Sequence, residues 1–191
     1  MSTTARTCRQ IAAIAVAIIA LAPPAAALAA DPGGVPSTPP TAATRTADLS
    51  VQEQIDAYLA TSPDGVQINA NELSYRDGAM IVTFRKPGAT TSAMTADCPY
   101  GYFCLYESVN YVFPRAIFRD CGWQDLYPKW YDRARSIAYN LPYGSVDFIN
   151  HGKADHVGDT VLFSLSSSRR SIFDVSPHRD EIDHVRRNGC I

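Results

Sequence analysis

The sequence predicts a mainly β protein: a double Greek-key sandwich over residues 98–191, preceded by a small helix plus β-hairpin unit. Two observations carry that expectation. From Cys98 onward, short aromatic-rich runs recur every eight to twelve residues with turn residues between them, the texture of a small all-β sandwich. The same stretch also carries a weak internal duplication.

Strands are expected at 102–107 and 116–119, which alternate, and then at 136–140, 145–149, 160–165 and 184–187. The duplication runs through them. Pro99-Tyr100-Gly101 opens one half and Pro142-Tyr143-Gly144 the other, each half has a strand with a central Phe (Phe118 and Phe163), and each closes with an acidic turn into a strand ending in Asn, YDRARSIAYN and RDEIDHVRRN. The offset grows from 43 to 45 to 48 residues, as longer loops in the second copy would produce. Units of about 45 residues that cannot bury a face alone point to paired Greek keys.

Upstream, residues 48–86 read as one unit. Ser50 with Glu53 forms a capping box, and Val51, Ile55, Tyr58 and Leu59 make one apolar stripe at helical spacing, stopped by Pro63-Asp64-Gly65. Two alternating runs, 66–75 and 79–84, come next, joined through Arg76-Asp77-Gly78, whose Asp-Gly pair favours a hairpin. Such a unit is too small to stand alone and is expected to pack on the larger β region C-terminal to it. Residues 87–97 read as a linker. Residues 30–47, rich in Pro, Gly, Ser, Thr and Ala, cannot bury enough surface to offset ordering entropy and read as a disordered linker.

Residues 1–29 read as a signal peptide. Arg6 and Arg9 precede an apolar run over 11–21, too short and too poorly flanked for a spanning helix, and Ala27-Leu28-Ala29 suits signal peptidase, with Ala25-Ala26-Ala27 second. A secreted, extracellular protein is the expectation. Cys8 leaves with the signal, and 15 basic side chains then face 19 acidic ones, a net charge near −4. That balance excludes nucleic acid and, after cleavage, an anionic membrane as partners. A monomer is expected. Cys98, Cys104, Cys121 and Cys190 remain, an even count that reads as two disulfides; a four-thiolate zinc site lacks the paired C-x-x-C spacing. Three pairings stay open, with Cys98–Cys104 and Cys121–Cys190 favoured.

CPYGYFCLYESVNY followed by AIFRDCGWQDL resembles the opening Greek key of the bacterial (actinobacterial) peptidase inhibitor family I36, secreted proteins related to a metalloproteinase inhibitor and built on the βγ-crystallin fold. The resemblance spans 98–190. It implies a βγ-crystallin-like fold and a secreted inhibitor of an extracellular protease, a metalloprotease first, acting by substrate-like loop binding. A crystallin-type key places Gly two residues after the aromatic at Tyr111; here Phe113-Pro114 stands there, so that turn must be rebuilt. The resemblance also implies a calcium motif in each half. Arg135 puts a cation where an oxygen is needed in the first, and His184 replaces a hydroxyl in the second. Glu107, Asp180 and Asp183 are the remaining calcium ligands to consider, and calcium is disfavoured, with Asp132 and Asp180 read as turn-holding carboxylates. No other cofactor is expected.

Catalysis is not expected. The run from His178 to His184 fits no zinc spacing, no G-x-S-x-G occurs, Ser164 to Ser168 reads as a strand end and turn, and paired cysteines are not nucleophiles. The loops 123–131 and 151–159 are the places where an inhibitory segment is expected to protrude, with Trp123, Tyr127, Trp130 and Val157 as candidate contacts, although aromatics in a small sandwich are more often core. A non-inhibitory binding or structural module, for carbohydrate, cell wall or a protein ligand, is the alternative on the same fold.

Overall fold

Ser50 opens the helix α1 (Val51–Leu59) by accepting the backbone N–H of Glu53, while the Glu53 carboxylate takes the Ser50 N–H at 2.7 Å, the reciprocal capping box expected from the sequence. Ile55 and Tyr58 are buried and Val51 and Leu59 lie half-buried beside them. The computed structural model describes residues 49–191 except 87, 90–94, 127–128, 153–155 and 191. The signal peptide 1–29, the linker 30–47 and Tyr127 fall outside the described residues, as does most of 87–97.

Two antiparallel sheets come after the helix. The run 66–75, expected as one strand, is already a hairpin: β1 (Val66–Asn69) turns at Ala70-Asn71 into β2 (Glu72–Tyr75), where the Asn69 side chain accepts the Asn71 N–H at 2.9 Å. A tight turn over Arg76–Gly78, with positive φ at Arg76, Asp77 and Gly78, leads to β3 (Met80–Thr83). Next come β4 (Phe103–Tyr106), β5 (Arg115–Phe118), β6 (Gly122–Asp125), β7 (Ser136–Tyr139), β8 (Ser145–Asn150), β9 (Thr160–Ser166), β10 (Ser171–Ile172) and β11 (His184–Asn188). The first sheet runs β1-β2-β3-β5-β4-β7-β10 and the second β6-β11-β8-β9.

All six strands expected in the 98–191 region are present. The two additions, β6 and β10, are those that leave their own half. β4, β5 and β7 pair together while β6 joins the second sheet; β8, β9 and β11 pair together while β10 returns to the first.

The middle of the first sheet is covered on both faces, which is why β4, β5 and β7 read as unbroken buried runs. Phe103, Leu105, Ala116, Phe118, Ile137 and Tyr139 enter the main core with Val146, Phe148, Leu165 and Val185 of the second sheet. The alternate residues Cys104, Tyr106, Ile117 and Ala138 enter a satellite cluster with Cys98, Tyr111 and Phe113. The Cys98–Cys104 bridge seals that cluster, and Cys121–Cys190 fastens the entry of β6 to the chain end beyond β11, so the favoured pairing is the one present. Two disulfides place the folded chain in an oxidising environment.

The helix–hairpin unit is continuous with this architecture. β3 pairs with β5 from Met80↔Phe118 to Thr83↔Arg115, and Ile55, Tyr58, Leu73 and Val82 belong to the main core. Nor is Asp97 linker-like: its carbonyl accepts the Tyr106 hydroxyl at 2.7 Å and its carboxylate pairs with Arg85. The rebuilt turn after β4 carries its positive φ at Asn110 and Tyr111 rather than at Phe113. No helix of the described residues is long and apolar enough to cross a membrane.

Candidate functional site

The outer face of the second sheet presents the chemistry. On β6 the side chains alternate, Gln124 buried, Trp123 and Asp125 exposed; on β11 Val185 turns to the core while His184 and Arg186 face the same way as their partners Asp125 and Trp123. β11 is the central strand here. It holds His184 between Asp125 of β6 and Ile149 of β8.

The segment joining β8 to β9 folds back over that end of the face. β9 carries one residue, Leu162, more than β8 opposite it, since Phe148 pairs with Phe163 but Ile149 with Val161. The loop from 151 to 159 is then closed at its neck. A side chain at Gly152 would lie 2.4 Å from the backbone carbon of Gly158, so two chain segments touch there and only glycine fits. The Asp159 carboxylate accepts the Gly152 N–H at 2.9 Å, and the Asp183 carboxylate accepts the His151 N–H at 2.8 Å. Val157, next to the neck, is 63% exposed.

Three of the chain's four histidines meet inside this fold. His184 Nε2 lies 3.0 Å from His151 Nδ1, His151 Nδ1 lies 3.6 Å from Asp159 Oδ1, and His156 Nδ1 lies 3.1 Å from Asp159 Oδ2. One ligand-type atom from each of His151, His156, Asp159 and His184 falls within 4.8 Å of all the others. His156, in left-handed backbone (φ 61°), stacks its ring on Trp123 at 4.3 Å. His184 is 5% exposed, with the rings of Trp123, Tyr131 and His151 edge-on around it, and its Nδ1 is 3.7 Å from Asp125 Oδ1. Asp125 in turn is hydrogen-bonded by Tyr131.

The electrostatics favour a neutral imidazole beside a carboxylate anion. Burial pushes His184 below its ordinary value, the Asp125 carboxylate opposing and the His151 ring adding to the shift. The Gly152 N–H, helped by His156 and His151, holds Asp159 below the usual carboxylate range. Burial, and then the bond to Asp125, raises the Tyr131 phenol.

The residues singled out in the sequence are not gathered here. Trp130 is 1% exposed, Trp123 belongs to β6, and Leu126 and Trp130 pack in the core, so these described residues of 123–131 do not form a protruding loop. Of the three candidate contacts among the described residues, Val157 and Trp123 are accessible. Glu107, Asp180 and Asp183 do not converge. Glu107 is paired with Arg133, Asp180 with Arg135 at 2.8 Å, and Asp183 is spent on the His151 N–H. The run 178–184 is divided as well. His178 Nδ1 bonds Glu181 at 2.6 Å, away from His184, because the residues between them turn into β11.

The imidazole cluster was missed in the sequence, where its one local trace is the spacing His151-x4-His156-x2-Asp159. Its fourth member arrives by strand pairing. Comparison of the chain with family models, with curated proteins and with solved structures finds no significant match. The class that the fold and site define is therefore structural: a disulfide-braced, mainly β protein of two antiparallel sheets with a closed, histidine-lined loop on one face.

Proposed function

We propose that the chain is an exported inhibitor of an extracellular peptidase, a metallopeptidase first, that acts by docking a pre-shaped loop and performs no catalysis. The observation that carries the reading is the neck of 151–159, closed by the Gly152–Gly158 contact and by the Asp159 and Asp183 carboxylates, with Val157 exposed beside it. A loop ordered before it meets its target loses little entropy on binding, which is how small inhibitors reach high affinity from modest areas.

Relation to the I36 family and a βγ-crystallin type of fold belong to the same proposal. The strand order supports it. Each half places its fourth strand beside its first and sends its third to the opposite sheet, a Greek key wrapped over two sheets and present twice. All four cysteines of 98–191 are in disulfides, so none offers a thiolate nucleophile.

A binding or structural module is the second reading, and the exposed ring of Trp123 beside Arg186 favours it as a contact for carbohydrate or protein. The purified, oxidised exported chain, assayed against metallo-, serine and cysteine peptidases, separates the two. Reversible inhibition of a metallopeptidase, weakened by Val157→Asp, is expected. A folded chain that inhibits no member of the panel transfers the assignment to the binding module.

A further inference from the structure

The geometry points to a transition-metal site, of the kind zinc occupies, formed by His151, His156, Asp159 and His184. This does not rest on the peptidase reading, since neither Val157 nor any target takes part in it.

Four donors within 4.8 Å of one another is the first support. A tetrahedral ion with bonds of about 2.0–2.1 Å holds neighbouring donors about 3.3 Å apart. Three donor contacts here are 3.0, 3.6 and 3.1 Å, the last two to the two different oxygens of Asp159, and a small contraction would bring the four donors to an ion. Hydrogen bonds account for the His184–His151 and His156–Asp159 contacts but not for the 3.6 Å approach of His151 Nδ1 to the Asp159 carboxylate. Two imidazole nitrogens face each other at 3.0 Å while one of them also approaches a carboxylate, and the donors turn their nitrogens toward one another rather than toward solvent.

The surroundings are the second support. A ligating imidazole ordinarily turns its other ring nitrogen to a carboxylate, which fixes its tautomer and strengthens its donation. His184, with Nε2 in the cluster, has Nδ1 toward Asp125, and Asp125 is itself held by Tyr131. Trp123 stacks on His156 and fixes a ring that would otherwise swing freely on an exposed loop. Asp159 has an 8% exposed side chain, and the backbone bond from Gly152 sets its orientation.

The donor set selects the metal. Three imidazoles and a carboxylate suit zinc, and also copper and nickel, whereas calcium and magnesium take oxygen donors. The duplication supports the position too. In the first half, Ser136 opens the closing strand and its hydroxyl donates to the Ser108 carbonyl at 2.7 Å; in the second, His184 opens the closing strand and its ring meets His151. Imidazoles thus stand where the first half has a hydroxyl and a carbonyl.

The site also marks a control for any inhibition assay: a chain that removes zinc from a metallopeptidase would mimic loop binding, so inhibition is measured with the chain preloaded with zinc. The test is calorimetric titration of Zn²⁺ into the chelator-stripped mature chain, with Co²⁺ as a spectroscopic stand-in. One equivalent should bind with a Kd on the order of 1 µM or tighter, Co²⁺ should develop the visible absorption of a four-coordinate ion, and the melting temperature should rise with zinc. His156→Ala, at an exposed position that leaves the core untouched, should weaken binding by about 30-fold or more. His151→Ala should do the same, and His178→Ala should change nothing. Binding no tighter than about 1 mM, or binding unaltered by His156→Ala in a chain with native circular dichroism, overturns the assignment.

Discussion

Arg135 and Asp180, 45 residues apart on corresponding turns of the two halves, form an ion pair at 2.8 Å. The same guanidinium also donates to the backbone carbonyls of Asp132 and Arg179. A cation thus already occupies the oxygen-lined seam between the closing turns, supplied by the chain itself.

Calcium binding at that seam is accordingly expected to be weak or absent. Calorimetry with Ca²⁺ should show no site tighter than about 1 mM, the weak limit for extracellular modules. Arg135→Ala should cost about 1 kcal/mol, because the pair is partly exposed and screened. A micromolar calcium site in the native chain would contradict the reading, and Asp180→Ala would then tell whether this carboxylate holds it.

The two disulfides should contribute unequally. Cys121–Cys190 spans 69 residues and Cys98–Cys104 spans 6. On loop-closure entropy the first constrains the unfolded chain by about 4 kcal/mol and the second by about 2 kcal/mol. Denaturant titrations of Cys121→Ala/Cys190→Ala and Cys98→Ala/Cys104→Ala should reproduce that order. Alkylation of the unreduced exported chain followed by intact mass should find no free thiol and a start near Ala30.

Local chemistry was legible in the sequence where its signal is local. The capping box of Ser50 and Glu53 states its structure within four residues, and the apolar run Phe103 to Tyr106 is short enough to read as a strand buried on both faces. β6 escaped because Gly122-Trp123-Gln124-Asp125 carries one apolar side chain and no apolar–polar alternation; its strand character comes from pairing with β11, about 60 residues away. β10 is two residues long. The hairpin at Ala70-Asn71 was hidden inside a run that alternates straight through it. The histidine cluster is invisible for the same reason as β6: His184 reaches His151 only because β11 lies beside β8.

Acid should loosen the second sheet through Asp147. Burial alone would raise its pKa, but bonds from Ser164 at 2.6 Å, Arg186 at 2.9 Å and Asn188 at 2.8 Å outweigh it, and the carboxyl titrates below its ordinary value. A folded pKa below the unfolded one means stability that is present above about pH 4 and lost as pH falls through the folded value. Asp147→Asn should lower the melting temperature at pH 7, by the equivalent of about 2 kcal/mol for bonds to a charged group. The difference between the two chains should shrink as pH drops from 4 toward 2.5. Parallel melting curves across that range would show that the carboxylate does not carry the effect.

Gly152→Ala should disorder the loop without unfolding the sheets. The added carbon would meet Gly158 backbone at 2.4 Å, which no rotamer change relieves, while the site lies outside the core. The neck must open, drawing the Asp159 carboxylate and the His151 N–H from their partners. Zinc affinity and peptidase inhibition should both fall by about tenfold or more with little change in melting temperature. Retention of both would mean that the neck contact does not shape the loop.

Removal of residues 48–86 should do far more than trim a separate unit. β3 supplies the partner of β5 along four residue pairs, and Ile55, Tyr58, Leu73, Met80 and Val82 close the core over Phe103 and Phe118. Truncating Leu73 alone to Ala should cost about 2–5 kcal/mol, a large share of the roughly 5–15 kcal/mol that holds a typical domain. Without the whole unit β5 becomes an open edge beside bared aromatic rings, the arrangement that recruits other chains. The 97–191 fragment is therefore expected to aggregate or to melt without cooperativity, even with both disulfides formed. Size-exclusion chromatography and thermal circular dichroism check this directly. A monomeric fragment with a sharp transition near that of the full chain would return the helix and hairpin to the status of a separable appendage.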